Sequence, residues 1–247
     1  MAEFQLFPLR CGHVLDHAVG SFLYRTDCGD ARIDAPCVAW LLQGPGGPIL
    51  VDTGPGPRAH APQHYRPSDP DDLLPLELAR HGVDPLAIRT IILTHLHNDH
   101  AGGARLFPNA TFHVQLQELR EAVWPVPFQR AIYEVNRRGH LPPWVHILDR
   151  FMALEGDTLI MPGVSTVLLP GHTSGSQGVL VDTASGPHLL PGDLVPLHEN
   201  WDGGGIPNGN HTDLYAYERS FRRLGATVLP SHDPRVFDRL AYPAAPA

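Results

Sequence analysis

The chain contains no lysine: all 18 basic residues among its 247 are arginine. That absence excludes Schiff-base chemistry on a lysine, a phosphate-binding P-loop and a kinase-type ATP site, each of which needs an amine at a fixed place. Cysteine is scarce as well. Cys11, Cys28 and Cys37 are odd in number and form no C-x-x-C pair, which argues against a disulfide framework and a thiolate zinc site and for a reducing compartment. No apolar run approaches the roughly 20 residues needed to cross a bilayer, and no charged-then-apolar leader opens the sequence. A cytoplasmic protein without membrane contact is therefore expected. Basic runs are missing too. The 26 acidic residues leave a formal charge of −8, a poor match for a phosphate backbone, so a small-molecule substrate is expected rather than nucleic acid.

What the sequence has in quantity is histidine, 16 residues, with 24 glycines and 26 prolines spread as punctuation. The length suits one domain over 1–247, with no repeat and no linker. Short apolar runs at 4–9, 36–42, 48–52, 88–94, 111–114, 164–169, 178–182, 188–191 and 227–230 predict strands. Helical spacing predicts helices over 72–81, 115–123 and 212–224. Helices placed between strand groups suggest a layered α/β architecture. The tail at 242–247 is expected to fray.

The feature that carries chemistry is His95-Leu96-His97-Asn98-Asp99-His100, between the apolar run Ile91-Ile92-Leu93-Thr94 and Ala101-Gly102-Gly103. Four of its six residues are good metal ligands, and residue frequencies give roughly 0.005 chance matches to H-x-H-x-D-H in a chain of this length. Three more candidates stand where later strands should end: His172 in Pro-Gly-His-Thr, Asp193 in Pro-Gly-Asp-Leu, and His232 in Pro-Ser-His-Asp. Each alone is an ordinary loop residue. Their shared placement gives them weight together.

These residues resemble the metallo-β-lactamase-fold hydrolases, and the resemblance runs from about residue 48 to 234. It implies a four-layer αββα sandwich with two divalent metal ions at one edge, zinc first, with Fe, Mn, Co or Ni also suited to such ligands. His95, His97 and His172 would hold one ion, and Asp99, His100 and His232 the other, with Asp193 bridging. Asp99 and Asp193 would serve catalysis. Asp52, in Leu50-Val51-Asp52-Thr53-Gly54, would orient ligands from behind. No cysteine lies near 193, a full second ligand set is present, and there is no room for a flavin domain. Lactamases with a cysteine ligand, persulfide dioxygenases and flavodiiron proteins are thereby set aside.

The stretch from Gly192 to Asn200, then Ile206-Pro207, His211-Thr212-Asp213-Leu214 and Leu229-Pro230-Ser231-His232-Asp233-Pro234, is most similar to N-acyl-homoserine lactonase relatives. This implies ring opening of a lactone by a metal-activated water. One residue departs from that pattern. Pro196 stands where well-known quorum-quenching lactonases carry a tyrosine, and His198, Tyr133 and Tyr215 are the candidates for its replacement. The other hydrolase readings are a thioesterase of the glyoxalase II kind, disfavoured by the few arginine pairs (Arg137-Arg138, Arg222-Arg223), and a phosphodiesterase. A metal-binding sensor without turnover is a further reading, since Pro196 marks a lost contact. The segment 119–148 interleaves Trp124, Phe128, Tyr133 and Trp144 with prolines. It is expected to form an apolar lid over the substrate, the other readings being a homodimer contact or core packing. His60 and His64 are expected on the surface without a role.

Overall fold

The computed structural model describes residues 3–56, 65–66, 73–135, 139–202 and 204–243. Tyr65 and Arg66 are described by backbone alone. His60, His64, Asp72 and the Arg137-Arg138 pair lie outside the described residues.

Two mixed sheets are formed. The first has seven strands: β1 (Gln5–Ala18), β2 (Arg32–Gln43), β3 (Ile49–Val51), β4 (Tyr65–Arg66), β5 (Thr90–Ile92), β6 (Thr111–Gln115) and β7 (Phe151–Leu154), in the order β4-β1-β2-β3-β5-β6-β7. The second holds β8 (Thr158–Met161), β9 (Val164–Leu168), β10 (Gln177–Thr183), β11 (Gly186–Leu190) and β12 (Thr227–Val228), in the order β12-β11-β10-β9-β8. All nine expected strands are present. The unexpected β4, β7 and β8 are edge strands; β7 and β8 are short apolar runs whose Met152 and Leu159 are more than half exposed.

The layering follows from the alternation of side chains along each strand. In β2, Val38, Trp40 and Leu42 turn towards the second sheet and pack with Val164, Val179, Val181 and Leu190. The alternate residues Cys37, Ala39 and Leu41 join a second cluster with Leu74 and Leu78 of α1 (Leu73–Arg80) and Ala122 of α3 (Leu116–Val123). β2 is buried on both faces and so reads as one continuous apolar run. On the far side, Leu169, Leu189 and Val228 of the second sheet and its loops pack with Tyr217 of α5 (Leu214–Phe221). The order of layers is helix, sheet, sheet, helix, as the αββα expectation had it. Two further single-turn helices, α2 (Asn98–Ala101) and α4 (His198–Trp201), sit in loops.

The tail differs from expectation at its start. Tyr242 is buried, exchanges backbone hydrogen bonds with Leu6 at 2.7 and 2.8 Å, and packs edge-on against Trp40. A large ring that covers the inter-sheet core outweighs the entropy of a chain end at that position.

Candidate metal centre

Strand direction decides where the ligand candidates meet. β3 and β5 are parallel, so Asp52 and His95 follow their strands at the same edge. β9 and β11 both run antiparallel to β10, and β12 is parallel to β11. The loops after these three strands, carrying His172, Asp193 and His232, therefore emerge together. Gln177 ties the sheets at this edge: its N–H donates to the Thr94 carbonyl at 2.9 Å and its Nε2 to the Leu93 carbonyl at 2.8 Å.

All seven expected residues come together and all are buried. They form two groups, His95, His97 and His172, and Asp99, His100, Asp193 and His232, with ligand atoms in each group within 4.8 Å of one another. In the first, His97 Nδ1 faces His95 Nε2 at 3.0 Å and His172 Nε2 at 3.1 Å. Nitrogens about 2.0–2.1 Å from one tetrahedral ion would lie roughly 3.3 Å apart. In the second, Asp193 Oδ1 lies 3.2 Å from both His100 Nε2 and His232 Nε2, and Asp99 Oδ2 lies 3.6 Å from His232 Nε2. Asp193 Oδ2 is 3.6 Å from His172 Nε2, so one carboxylate reaches both groups. The Nε2 atoms of His100 and His232 and oxygens of Asp99 and Asp193 converge within 4.8 Å of one another, and all four residues are buried. Two imidazole nitrogens and two carboxylate oxygens make a donor set that fits a divalent cation.

The outer nitrogens of most of these imidazoles are held. His100 Nδ1 meets Asp52 Oδ2 at 2.8 Å, His172 Nδ1 the Asn210 carbonyl at 2.6 Å, His232 Nδ1 the Pro36 carbonyl at 2.9 Å, and His95 Nδ1 the Thr94 hydroxyl at 3.1 Å. Asp52 takes a left-handed backbone, φ 61°, which aspartate tolerates better than most residues. Its Oδ1 accepts the Thr94 N–H at 2.7 Å and its Oδ2 the Thr94 hydroxyl at 2.8 Å. It thus stands behind the loop that carries His95 to His100.

Charge separates the two groups. Burial and the neighbouring imidazoles hold His95 and His97 well below the usual histidine range. Burial opposes charge on His100 and His232 too, but the Asp193 and Asp99 carboxylates overcome it and raise both. Asp193 is held well below the carboxylate range despite its burial, by His232 and His100. The Ser231 hydroxyl donates to Asp193 Oδ1 at 2.7 Å.

A cavity of about 220 Å³ opens onto both groups, lined by Val14, His17, Phe22, Ile132, Asn210 and five of the seven residues. The expected pocket residues do not line it. Trp124, Phe128 and Tyr215 are 83%, 93% and 81% exposed. Tyr133 is buried behind His97, its ring 4.9 Å away, and its hydroxyl donates to Glu118 Oε1 at 2.9 Å. His198 pairs with Asp233 at 2.8 Å. Trp144 lies in the core beside Ile147 and Phe112. Of the 119–148 segment, Ile132 alone among the described residues lines this cavity. The proline-rich stretches become short 3-10 turns at Pro127–Gln129 and Pro143–Arg150, whose register buries some aromatics and turns others to solvent. Pro196 contributes its carbonyl, which accepts the His232 N–H at 2.9 Å. Sequence reasoning missed His17, Asn210 and Glu118. His17 comes from β1, remote from every motif, and only the sheet brings it to the site.

The family model of the Metallo-beta-lactamase superfamily matches residues 32–232. An N-acyl homoserine lactonase of a Bacillus species is 32% identical over 208 residues, 78% of this chain and 75% of the relative. The N-acyl homoserine lactonase AttM of Azorhizobium caulinodans is 27% identical over 95% of both chains. A variant of Bacillus thuringiensis AiiA, solved with N-decanoyl-L-homoserine bound at its active site, superposes with a TM-score of 0.77 at 26% identity, covering 96% of each chain.

Proposed function

Because the chain belongs to the metallo-beta-lactamase superfamily, we propose that it is a metal-dependent hydrolase that opens a lactone ring, its substrate an N-acyl-homoserine lactone or a close relative. The observation that carries this reading is a pair of ligand clusters sharing Asp193 beneath a cavity whose remaining walls include Val14, Phe22 and Ile132. His95, His97 and His172 would hold one divalent ion, zinc by preference for imidazole ligands, and Asp99, His100 and His232 the second. Two such ions supply a strong nucleophile near neutral pH and polarise a carbonyl oxygen.

The protein's own residues orient and move protons. Asp52 fixes His100 through Nδ1, and the Asn210 and Pro36 carbonyls do the same for His172 and His232. Asp193 spans both clusters and is the carboxylate placed to take the nucleophile's proton and return it to the ring oxygen as the ester bond breaks. Val14, Phe22 and Ile132 exclude water around an apolar portion of the substrate. A cavity of about 220 Å³ suits a lactone ring with its amide, while a longer acyl chain extends towards solvent. The lactonase names and bound acyl-homoserine of the relatives support this substrate class, and quorum quenching would be its biological use. The cysteines are unpaired, with the Cys11 thiol donating to the Cys37 carbonyl at 3.1 Å, in keeping with action in the cytoplasm.

The test is acid release by the zinc-loaded protein from short and long acyl-homoserine lactones, aliphatic γ- and δ-lactones, thioesters and phosphodiesters. Lactones should be turned over preferentially. Preference for a thioester or phosphodiester would replace the substrate assignment, and lactone binding without acid release would make the chain a sensor.

A further inference from the structure

Among the three histidines of the first cluster, His95 and His172 have their outer nitrogens held by the Thr94 hydroxyl and the Asn210 carbonyl. His97 differs. Its Nδ1 faces the cluster, while its Nε2 is buried with no hydrogen-bond partner among the described residues. A ligand imidazole normally takes its orientation from a partner on its far nitrogen, so His97 must be oriented by other means.

Beyond its ring contacts with His95 and His172, two others bear on its orientation. One is the Tyr133 ring, centred 4.9 Å from the His97 ring at an interplanar angle of 63°. The other is the backbone at Leu96, between His95 and His97, whose N–H donates to Glu118 Oε1 at 2.9 Å. Both lead to one carboxylate. The Tyr133 hydroxyl donates to Glu118 Oε1 at 2.9 Å, and the Thr173 hydroxyl, next to His172, donates to Oε2 at 2.6 Å. Glu118, Tyr133 and Thr173 are all buried. Three donors from three segments therefore converge on one buried side chain of α3, none of them from a ligand imidazole.

We propose that Glu118 is a positioning residue for the three-histidine cluster, fixing the Leu96 peptide, the Tyr133 ring against His97 and the Thr173 end of the His172 loop at once. A buried carboxylate that accepts from three donors, with no ion pair among the described residues, is costly to keep unless its partners have to be held in register. α3 is fitted for this. Glu121, one turn on, accepts the Ser174 N–H at 3.0 Å, and a methyl group on Gly175 would collide with the Glu118 backbone. The helix and the His172 loop are in direct contact. The second cluster has separate supports in Asp52, the Pro36 carbonyl and Ser231, so the effect of Glu118 is specific to one site.

The inference rests on the two-metal reading, and zinc affinity measured by chelator competition tests it without reference to any substrate. In the wild type two equivalents should bind, and His97→Ala identifies the equivalent that belongs to the first cluster. Glu118→Ala should weaken that equivalent by about 10- to 100-fold and leave the other within about 3-fold. Glu118→Gln, whose Oε1 still accepts from Leu96 and Tyr133, should restore most of the loss, whereas Glu118→Met, which fills similar space but accepts neither hydrogen bond, should not; full rescue by Met would mark a packing role and overturn the assignment. Equal weakening of both equivalents, or a folded Glu118→Ala protein with unchanged affinities, would overturn the assignment. Should Glu118→Ala fail to fold, Tyr133→Phe keeps the ring and removes one donor. It should weaken the same equivalent by several-fold, and no change there counts against the proposal. A wild type that binds no zinc sinks the two-metal reading itself, an outcome distinct from two bound equivalents insensitive to Glu118.

Discussion

Asp193 is the residue on which both clusters depend, since its two oxygens face different histidines. Asp193→Ala should bind at most one metal ion per chain by elemental analysis and lose roughly 10³-fold or more in turnover. Two retained ions with near-normal activity would remove Asp193 from the centre. Glu118 makes a prediction about pH. Burial pushes its carboxyl from 4.5 up to about 7, although Thr173, the Leu96 N–H and Tyr133 hold it down in part. The folded chain thus keeps a proton that the unfolded chain releases. That stabilising contribution is complete below pH 4.5 and is lost as pH rises through 7. In metal-free protein, Glu118→Gln should therefore gain on the wild type between these values, by on the order of 3 kcal/mol, and level off above them. Urea unfolding at several pH values reads this directly, and a difference independent of pH would contradict it.

At the scale of elements, short loops and single-turn helices do the positioning, and they need close backbone approach. α2 carries Asp99 and His100 and ends at Gly102, where a methyl group would collide with the carbonyls of Pro55 and Asn98. Gly102→Ala should cost about 2 kcal/mol or more and shift the ligand loop, measured as a lower Tm together with weaker metal binding. A neutral effect would show that the loop can give way. The 119–148 segment divides its work differently from a simple aromatic lid. We expect Ile132→Ala to raise KM several-fold for long-chain and short-chain lactones alike. Trp124→Ala and Phe128→Ala, both at exposed positions, should leave both constants nearly unchanged. The reverse pattern in steady-state kinetics would restore the aromatic lid.

For the whole molecule, the candidate centre joins loops from both sheets, so a bound metal would act as a clasp across them. Stripping it with a chelator should abolish turnover and lower Tm by about 10 °C or more, with recovery on adding Zn²⁺, Co²⁺ or Mn²⁺. An unchanged melting curve would mean that the sheets hold the site without help. Much of this organisation was legible beforehand, because its signals are local. His95 to His100 stand within six residues at a strand end, and alternation or continuous burial marks nine strands. The edge strands β7 and β8, the anchored Tyr242 and the exposed Trp124 and Phe128 were not legible, because each depends on a partner far away in sequence or on the register of proline turns. The sequence by itself determined the types of the candidate ligands and their order along the chain, since chemistry is carried by residue identity. Only the tertiary structure decided that Asp193 faces both clusters, that His17 and Ile132 line the cavity in place of the expected aromatics, and that Glu118 gathers three segments on one carboxylate. Those are facts of strand direction and packing, set by burial of two sheets against each other, and no short stretch of sequence contains them.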